Sequence, residues 1–308
     1  MKAQIKPRID LYDRNELKDA IPLKTPYVIY IYTCDTCNFH CKFCPSGDRS
    51  LLKETIGRGH GAMKFDLYKK LIDGICEFED KVKVIRLYKD GEPLLNPRFP
   101  DMVRYAKESG CCERVDTTTN ASLLTPELSL KIIEAGLDRI NISIEGVNEG
   151  QYADFSGYKI DYDQFVENIS FFYEHRNQCE MNIKINGDIL TEEQEEHFYN
   201  TFGNITDGIF VEHIIDYWPK FKQDKVDVNE DVGLLGTEIK EVCVCPYVFY
   251  EMGINSDGTY SLCRFDWNHS MLLGRELGEY KSPKRVWDSL LLWEFQSMFL
   301  RGERTSRS

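Results

Sequence analysis

Six times between residues 26 and 215, a run of β-branched or aromatic residues gives way to a helical pattern, and this alternation restricts the fold more than any other feature. Strands are expected at residues 27–33, 82–88, 114–119, 139–144, 181–185 and 208–214. Helical stretches fall between them, near 65–79, 99–109, 126–135, 162–176 and 192–201. Thr125 before Pro126 reads as a helix cap followed by the first helical position, and Gly110 and Gly136 stand where helices stop. Strict alternation calls for a parallel sheet with right-handed crossovers. Six units predict an α/β fold, a partial (β/α)6 barrel with a lateral opening; an open, doubly wound sheet fits the same periodicity. In either one, ligands gather at the carboxyl ends of strands, so motifs directly after strands carry the most weight.

The rest of the chain arranges itself around that unit. Residues 1–25 form an N-terminal extension, 26–215 the barrel, 216–242 a polar linker, and 243–308 a small C-terminal module. A net charge of −13 disfavours nucleic acid, because each phosphate contact needs a Lys or Arg. No apolar run approaches the roughly 20 residues of a membrane span, and the first residues lack the apolar stretch of a signal peptide. A cytoplasmic location follows, where thiols stay reduced. The 11 cysteines are then ligands or small buried residues rather than disulfides, and burial is the reading for Cys76, Cys111, Cys112 and Cys179.

Directly after the first strand stands Cys34-Asp35-Thr36-Cys37-Asn38-Phe39-His40-Cys41-Lys42-Phe43-Cys44-Pro45. Cys37, Cys41 and Cys44 are separated by three and then two residues. Three thiolates so spaced can wrap one iron–sulfur cube and leave its fourth iron without a protein ligand. An open coordination position is what distinguishes catalytic from structural metals. The competing reading is a structural zinc site on Cys34, Cys37, Cys41 and Cys44. Its tight central gap departs from the spacing of zinc modules. Cys34 reads as a packed neighbour, and His40 as an ordinary polar loop residue with a ligand role as its alternative.

The triplet, with Phe43 in the aromatic slot, resembles the C-x3-C-x-aromatic-C signature of the radical S-adenosylmethionine (AdoMet) superfamily. The resemblance implies a [4Fe–4S] cluster whose open iron binds the amino and carboxylate groups of AdoMet, and reductive cleavage to a 5′-deoxyadenosyl radical. Three later segments extend it. Asp90-Gly91-Glu92-Pro93, after the second strand, looks like the motif that grips the AdoMet amino group. Thr117-Thr118-Thr119-Asn120 and Ser143-Ile144-Glu145-Gly146, at the ends of the third and fourth strands, are similar to segments near the ribose. Asn120 and Ser143 are candidates for ribose or carboxylate contacts; turn chemistry explains them equally well. Where many relatives carry an Arg for the AdoMet carboxylate, residues 152–158 have none, and Lys184 on the fifth strand is a candidate substitute.

Cys245 and Cys263 flank a hairpin turn at residues 255–259, and residues 282–300 read as one amphipathic helix. This is similar to the SPASM or twitch extension, which implies a second, auxiliary iron–sulfur cluster, with Cys243 as an alternative to Cys245. No cysteine follows Cys263. The expectation is a chain cut short of its last ligands, or a module without its cluster; buried thiols across a hairpin remain a third reading.

The cofactor supplies the difficult hydrogen abstraction, and the protein positions the substrate and excludes water. Two substrates compete: a small hydroxylated molecule such as a sugar or aminocyclitol, oxidised or rearranged, and a peptide undergoing maturation. About 25 residues before the first strand are too few for a leader-binding domain, which favours the small molecule. The resemblance also implies a flavodoxin or ferredoxin as electron donor. A zinc-stabilised, non-catalytic binding protein is the alternative of another class.

Overall fold

The computed structural model describes residues 1–9, 16–55, 58, 61–216, 218–221, 231–239, 242–273 and 282–303. Much of the expected linker, including residues 222–230, and the terminal residues 304–308 lie outside them. Among the described residues no helix is long and apolar enough to cross a membrane.

Among the described residues nine strands form one sheet: β1 (Gln4–Ile5), β2 (Val28–Ile31), β3 (Val82–Arg86), β4 (Cys112–Thr119), β5 (Arg139–Ile144), β6 (Glu180–Asn186), β7 (Gly208–Glu212), β8 (Glu251–Ile254) and β9 (Tyr260–Ser261). Their order is β1-β7-β6-β5-β4-β3-β2-β8-β9, parallel except for the β8–β9 hairpin. The six expected strands follow one another in space as in sequence. A doubly wound sheet must reverse its order at a switch point; β2 to β7 never do. The partial barrel is therefore the architecture.

One face of these strands is apolar. Ile29, Ile31, Ile85, Leu87, Val115, Ile140, Ile142, Ile144, Met181, Ile183, Ile185 and Ile209 all join the main core, covered by helices such as Phe65–Ile75, Phe99–Ser109 and Tyr162–His175. Thr125 Oγ1 accepts from Leu128 N at 3.3 Å, the cap that starts Pro126–Glu134. Because side chains alternate along a strand, the residues between these core positions face the barrel interior. On β4 to β6 they are largely polar, namely Asp116, Thr118, Arg139, Asn141, Glu180, Asn182 and Lys184, whereas on β2 and β3 Arg86 stands beside a second small apolar cluster of Val28, Tyr30 and Val84.

Both edges go beyond the sequence reading. The extension supplies β1, which pairs with β7, and the C-terminal module supplies β8, which pairs with β2 over four register positions. Two-residue strands such as β1 and β9 carry too little pattern to be read locally. The single helix expected at 282–300 is two, Pro283–Trp287 and Leu290–Leu300, because Ser289 caps a new start by accepting from Leu292 N. Cys76 is exposed, contrary to expectation, since it ends the helix Phe65–Ile75 at its solvent edge; Cys111, Cys112 and Cys179 are buried.

Beyond β1, Arg8 Nε reaches Glu212 Oε1 at 2.9 Å, and Lys184 Nζ reaches Oε2 of the same carboxylate at 2.7 Å. Burial alone would push Glu212 up, but Arg8 and Lys184 outweigh it and bring the carboxyl to about 2. A carboxyl lowered in the folded state stabilises above its unfolded value and loses that contribution as pH falls through the folded one. Glu212→Gln should therefore cost about 3 kcal/mol at pH 7. In denaturant titrations the gap from wild type should narrow as pH drops below the usual carboxyl range; a constant gap would contradict it.

Candidate active site

The cysteine loop leaves β2 at the carboxyl end of the barrel and is clamped by the helix Glu149–Ser156. His40 N donates to Ser156 O at 2.6 Å and Lys42 N to Phe155 O at 3.2 Å. Phe43 stacks on Phe155 with centroids 5.7 Å apart, and buried Phe39 meets Tyr158 at 4.9 Å. Sequence reading missed this helix, although Asn148, which caps it through Gln151 N, and the left-handed Gly157 mark its ends. Within the loop, Cys44 N donates to Cys41 O at 3.1 Å and Phe39 N to Cys37 Sγ at 3.4 Å. Gly47 closes the turn so tightly that a Cβ there would stand 2.7 Å from Cys41 O. His40 spends its ring on Gly47 O at 2.9 Å, and Cys34 is buried with its sulfur 3.3 Å from Thr36 Oγ1. Both behave as structural parts of the loop.

Cys37, Cys41 and Cys44 are the partly buried thiols of this loop, near enough that the charges of Cys37 and Cys44 act on Cys41. Burial pushes all three upward; the charges of Glu92 and Cys44 add to this at Cys37, and those of Glu145, Cys44 and Cys37 at Cys41. Such a set ionises when a cationic centre enters among it, and metal coordination deprotonates a thiol outright. Among the described residues no three His, Cys, Asp or Glu side chains converge on a single-ion position. Three thiols on one loop, separated by three and two residues, fit a cube that takes one sulfur at each of three iron corners.

The loop after β3 lies against this one. Glu92 N donates to Thr36 O at 2.8 Å. Gly91 has φ +72°, and a Cβ on it would overlap Thr36 O and stand 2.7 Å from Cys34 O. The buried Glu92 carboxylate accepts from Thr119 Oγ1 at 2.6 Å, Asn120 N at 2.8 Å and Leu94 N at 3.0 Å. Burial pushes its carboxyl up to about 7 against the pull of these three donors. Asn120 Nδ2 donates to Asn38 Oδ1 at 3.0 Å and stands 3.9 Å from Cys37 Sγ. Three strand ends are thus tied into one rim. Ser143 lies opposite Lys184 in the β5–β6 register, above the Lys184–Glu212 ion pair. Glu145, one step further along, is buried and pushed up to about 7, with Lys184 pulling it down and Glu212 pushing it up.

A buried ionic group behind the rim has no signature in the sequence. Asp90 sits 2.8 Å from Lys89 Nζ and 3.2 Å from His269 Nε2. Burial raises its carboxyl, but Arg58, Lys89 and His269 together hold it well below the usual range. Arg58 donates to Ser46 Oγ at 3.0 Å, Asp35 O at 3.1 Å and Trp267 O at 3.0 Å. Arg58 and His269 therefore join the cysteine loop and the Gly91-Glu92 turn to the C-terminal module. In that module Cys263 Sγ accepts from Phe265 N at 3.4 Å, and burial, with the nearby Cys245, pushes its thiol up. Cys243 is exposed.

With this geometry in view, the family model for the Radical SAM superfamily matches residues 31–204. The chain belongs to the radical SAM superfamily. Its cofactors are accordingly a [4Fe–4S] cluster and AdoMet. Among curated proteins it is 32% identical over 117 residues to the tungsten-containing aldehyde ferredoxin oxidoreductase cofactor-modifying protein of Pyrococcus furiosus, covering 38% of this chain and 30% of that one. It is 32% identical over 121 residues to the AdoMet-dependent heme synthase of Methanosarcina barkeri, covering 39% and 32%. The chain thus spans about a third of the length of these relatives. Among solved structures it is similar to BtrN in complex with AdoMet and 2-DOIA, with TM-score 0.54, 16% identity, and 91% and 89% of the two chains covered. It is also similar to Streptococcus suis SuiB bound to precursor peptide SuiA, with TM-score 0.63, 16% identity, and 96% and 75% covered. At these identities the likeness is one of fold, and the radical SAM partial barrel is that fold.

Proposed function

We propose that this chain cleaves AdoMet reductively at the rim of its barrel and uses the product to abstract hydrogen from a small hydroxylated molecule, such as a sugar or aminocyclitol, which is oxidised or rearranged. The observation that carries the reading is the convergence of the cysteine loop, Glu92 and Asn120 on one buried rim, tied by hydrogen bonds of 2.6–3.0 Å. Cys37, Cys41 and Cys44 would hold the cluster, with Phe43 fixing the loop against Phe155. When bound, the reduced cluster supplies the electron that splits AdoMet into methionine and a 5′-deoxyadenosyl radical. Glu92 offers a buried carboxylate to the AdoMet ammonium, and Asn120 and Ser143 offer polar contacts to its ribose. Lys184 would meet the AdoMet carboxylate only by loosening its hold on Glu212. Cys245 and Cys263 would supply two ligands of an auxiliary cluster, and a flavodoxin or ferredoxin would supply electrons.

A charge-assisted hydrogen bond is worth about 1.5–3 kcal/mol. Glu92→Gln should therefore weaken AdoMet binding to cluster-loaded protein by roughly 10- to 100-fold in equilibrium dialysis; unchanged affinity would remove Glu92 from the site.

The likeness to peptide-bound SuiB supports a second substrate reading, maturation of a peptide. Reconstituted protein incubated anaerobically with reductant, AdoMet and either sugars and aminocyclitols or peptides separates the two. A rise of 5′-deoxyadenosine above the substrate-free level with the small molecules supports the first reading, and a rise with peptides alone replaces it. Zinc without iron in the isolated protein would favour a non-catalytic scaffold over both.

A further inference from the structure

The interior face of the barrel holds polar groups that AdoMet chemistry at the rim leaves unused. Arg86 lies between core residues Ile85 and Leu87, Asp116 follows Val115, Asn141 lies between Ile140 and Ile142, and Asn182 between Met181 and Ile183. Alternation along each strand aims all four inward. In register, Arg86 stands opposite Asp116 on β3 and β4, and Asn141 opposite Asn182 on β5 and β6. Asp116, Asn141 and Asn182 are only 2%, 4% and 5% exposed.

Among the described residues these buried groups are not fully satisfied: Arg86 Nε, Asp116 Oδ1, Asn141 Oδ1 and both amide atoms of Asn182 find no hydrogen-bond partner there. Asp116 is approached only loosely, by Arg86 at 3.5 Å and Arg114 at 3.9 Å, while Arg86 gives its shorter bond, 2.9 Å, to Tyr30 Oη. Asn141 Nδ2 is used, on Thr117 O at 3.1 Å. Glu180 feels the Asn182 amide without a bond of proper geometry forming. Leaving a buried polar group unmatched is costly, and native proteins keep few of them. Five such atoms on neighbouring strands, below a reaction rim, are a pattern that a ligand would satisfy.

We infer that Arg86, Asp116, Asn141 and Asn182 are specificity-determining residues that read adjacent hydroxyl groups of a cyclic polyol or amino polyol. Each register pair holds one unbonded donor and one unbonded acceptor, Arg86 Nε with Asp116 Oδ1 and Asn182 Nδ2 with Asn141 Oδ1. A hydroxyl group donates one hydrogen bond and accepts others, so one hydroxyl can satisfy one such pair and a neighbouring hydroxyl the next. A phosphate or carboxylate, which only accepts, would face Asp116 Oδ1 and Asn141 Oδ1 with nothing to give. An apolar ring would leave all five atoms unpaired. The inference deepens the small-molecule reading above and rests on it for the fate of the bound ring.

The test uses cluster-loaded protein with AdoMet, and binding is followed by thermal shift and calorimetry. The probes are myo-inositol, scyllo-inosamine and glucosamine, with myo-inositol 1-phosphate and a short peptide for comparison. At least one unphosphorylated polyol should bind the wild type in preference to the phosphate ester and the peptide. Asn182→Leu, close in shape but apolar, should leave the free protein melting at or above the wild-type temperature and weaken the polyol by at least about tenfold. Asn141→Ala provides the same binding test should Asn182→Leu fail to fold. A merely structural role predicts the reverse: a lower melting temperature with the polyol response intact. That result would overturn the inference, as would preference for the phosphate ester or binding of no polyol by the wild type. Failure of the radical reading has a separate mark, polyol binding without any 5′-deoxyadenosine from the reduced wild type.

Discussion

Alanine in place of Cys37, Cys41 or Cys44 is expected to strip the rim of about four irons per chain and to bring 5′-deoxyadenosine formation down to the protein-free background. The size of the effect follows from how few ligands there are. A cube held by three sulfurs at three corners has no spare protein donor, and Cys34, the only other thiol in the loop, is turned into a bond with Thr36. His40 is likewise committed, its ring on Gly47 O. Neither can replace a lost sulfur without remaking the loop. Cys34→Ser serves as the comparison: it should keep its iron, because serine can bond Thr36 as the thiol does. Iron analysis of the four variants separates the readings, since a zinc site built on four cysteines would suffer equally from all of them.

Gly91→Ala should be nearly as damaging, although the residue has no functional group. Its backbone is left-handed, which costs an L-residue roughly 1–2 kcal/mol. The added carbon would also meet backbone atoms of Thr36 and Cys34, which have no flexible end to move aside. The turn and the cysteine loop must then separate, breaking the bond from Glu92 N to Thr36 O and drawing Glu92 from Thr119 and Asn120. A loss of about 3 kcal/mol or more in chemical denaturation is expected, together with poor cluster loading. Gly110→Ala is the control, left-handed at φ +67° but with nothing within 4 Å of its added carbon. It should pay the backbone cost alone. Equal losses from the two would show that the contact between loops carries no weight.

What could be read from the chain and what could not divide along the range of the interaction. The strands β2 to β7 and the triplet depend on local pattern: apolar alternation, helix stops such as Gly110, and three cysteines after one strand. The pairing of β1 with β7 and of β8 with β2 depends on segments some 200 residues apart, and no local periodicity encodes it. The same holds for Arg58 and His269, which look like unremarkable polar residues until folding brings them to Ser46 and Asp90. Lys184 was legible as the cation on β6, but its engagement by Glu212 was not, since that partner lies one strand further on. The interior ladder was hidden differently. Arg86, Asp116, Asn141 and Asn182 look like the solvent side of half-exposed strands, and only closure of the sheet turns that side into an interior.

Electron paramagnetic resonance of the anaerobically reduced protein, recorded before and after AdoMet is added, bears most directly on the triplet and its vacant iron corner. The account predicts a reduced [4Fe–4S] signal whose g-values shift when AdoMet arrives, a shift that disappears in Cys41→Ala. A protein that carries zinc and gives no such signal, or one whose cluster signal is indifferent to AdoMet, would contradict it.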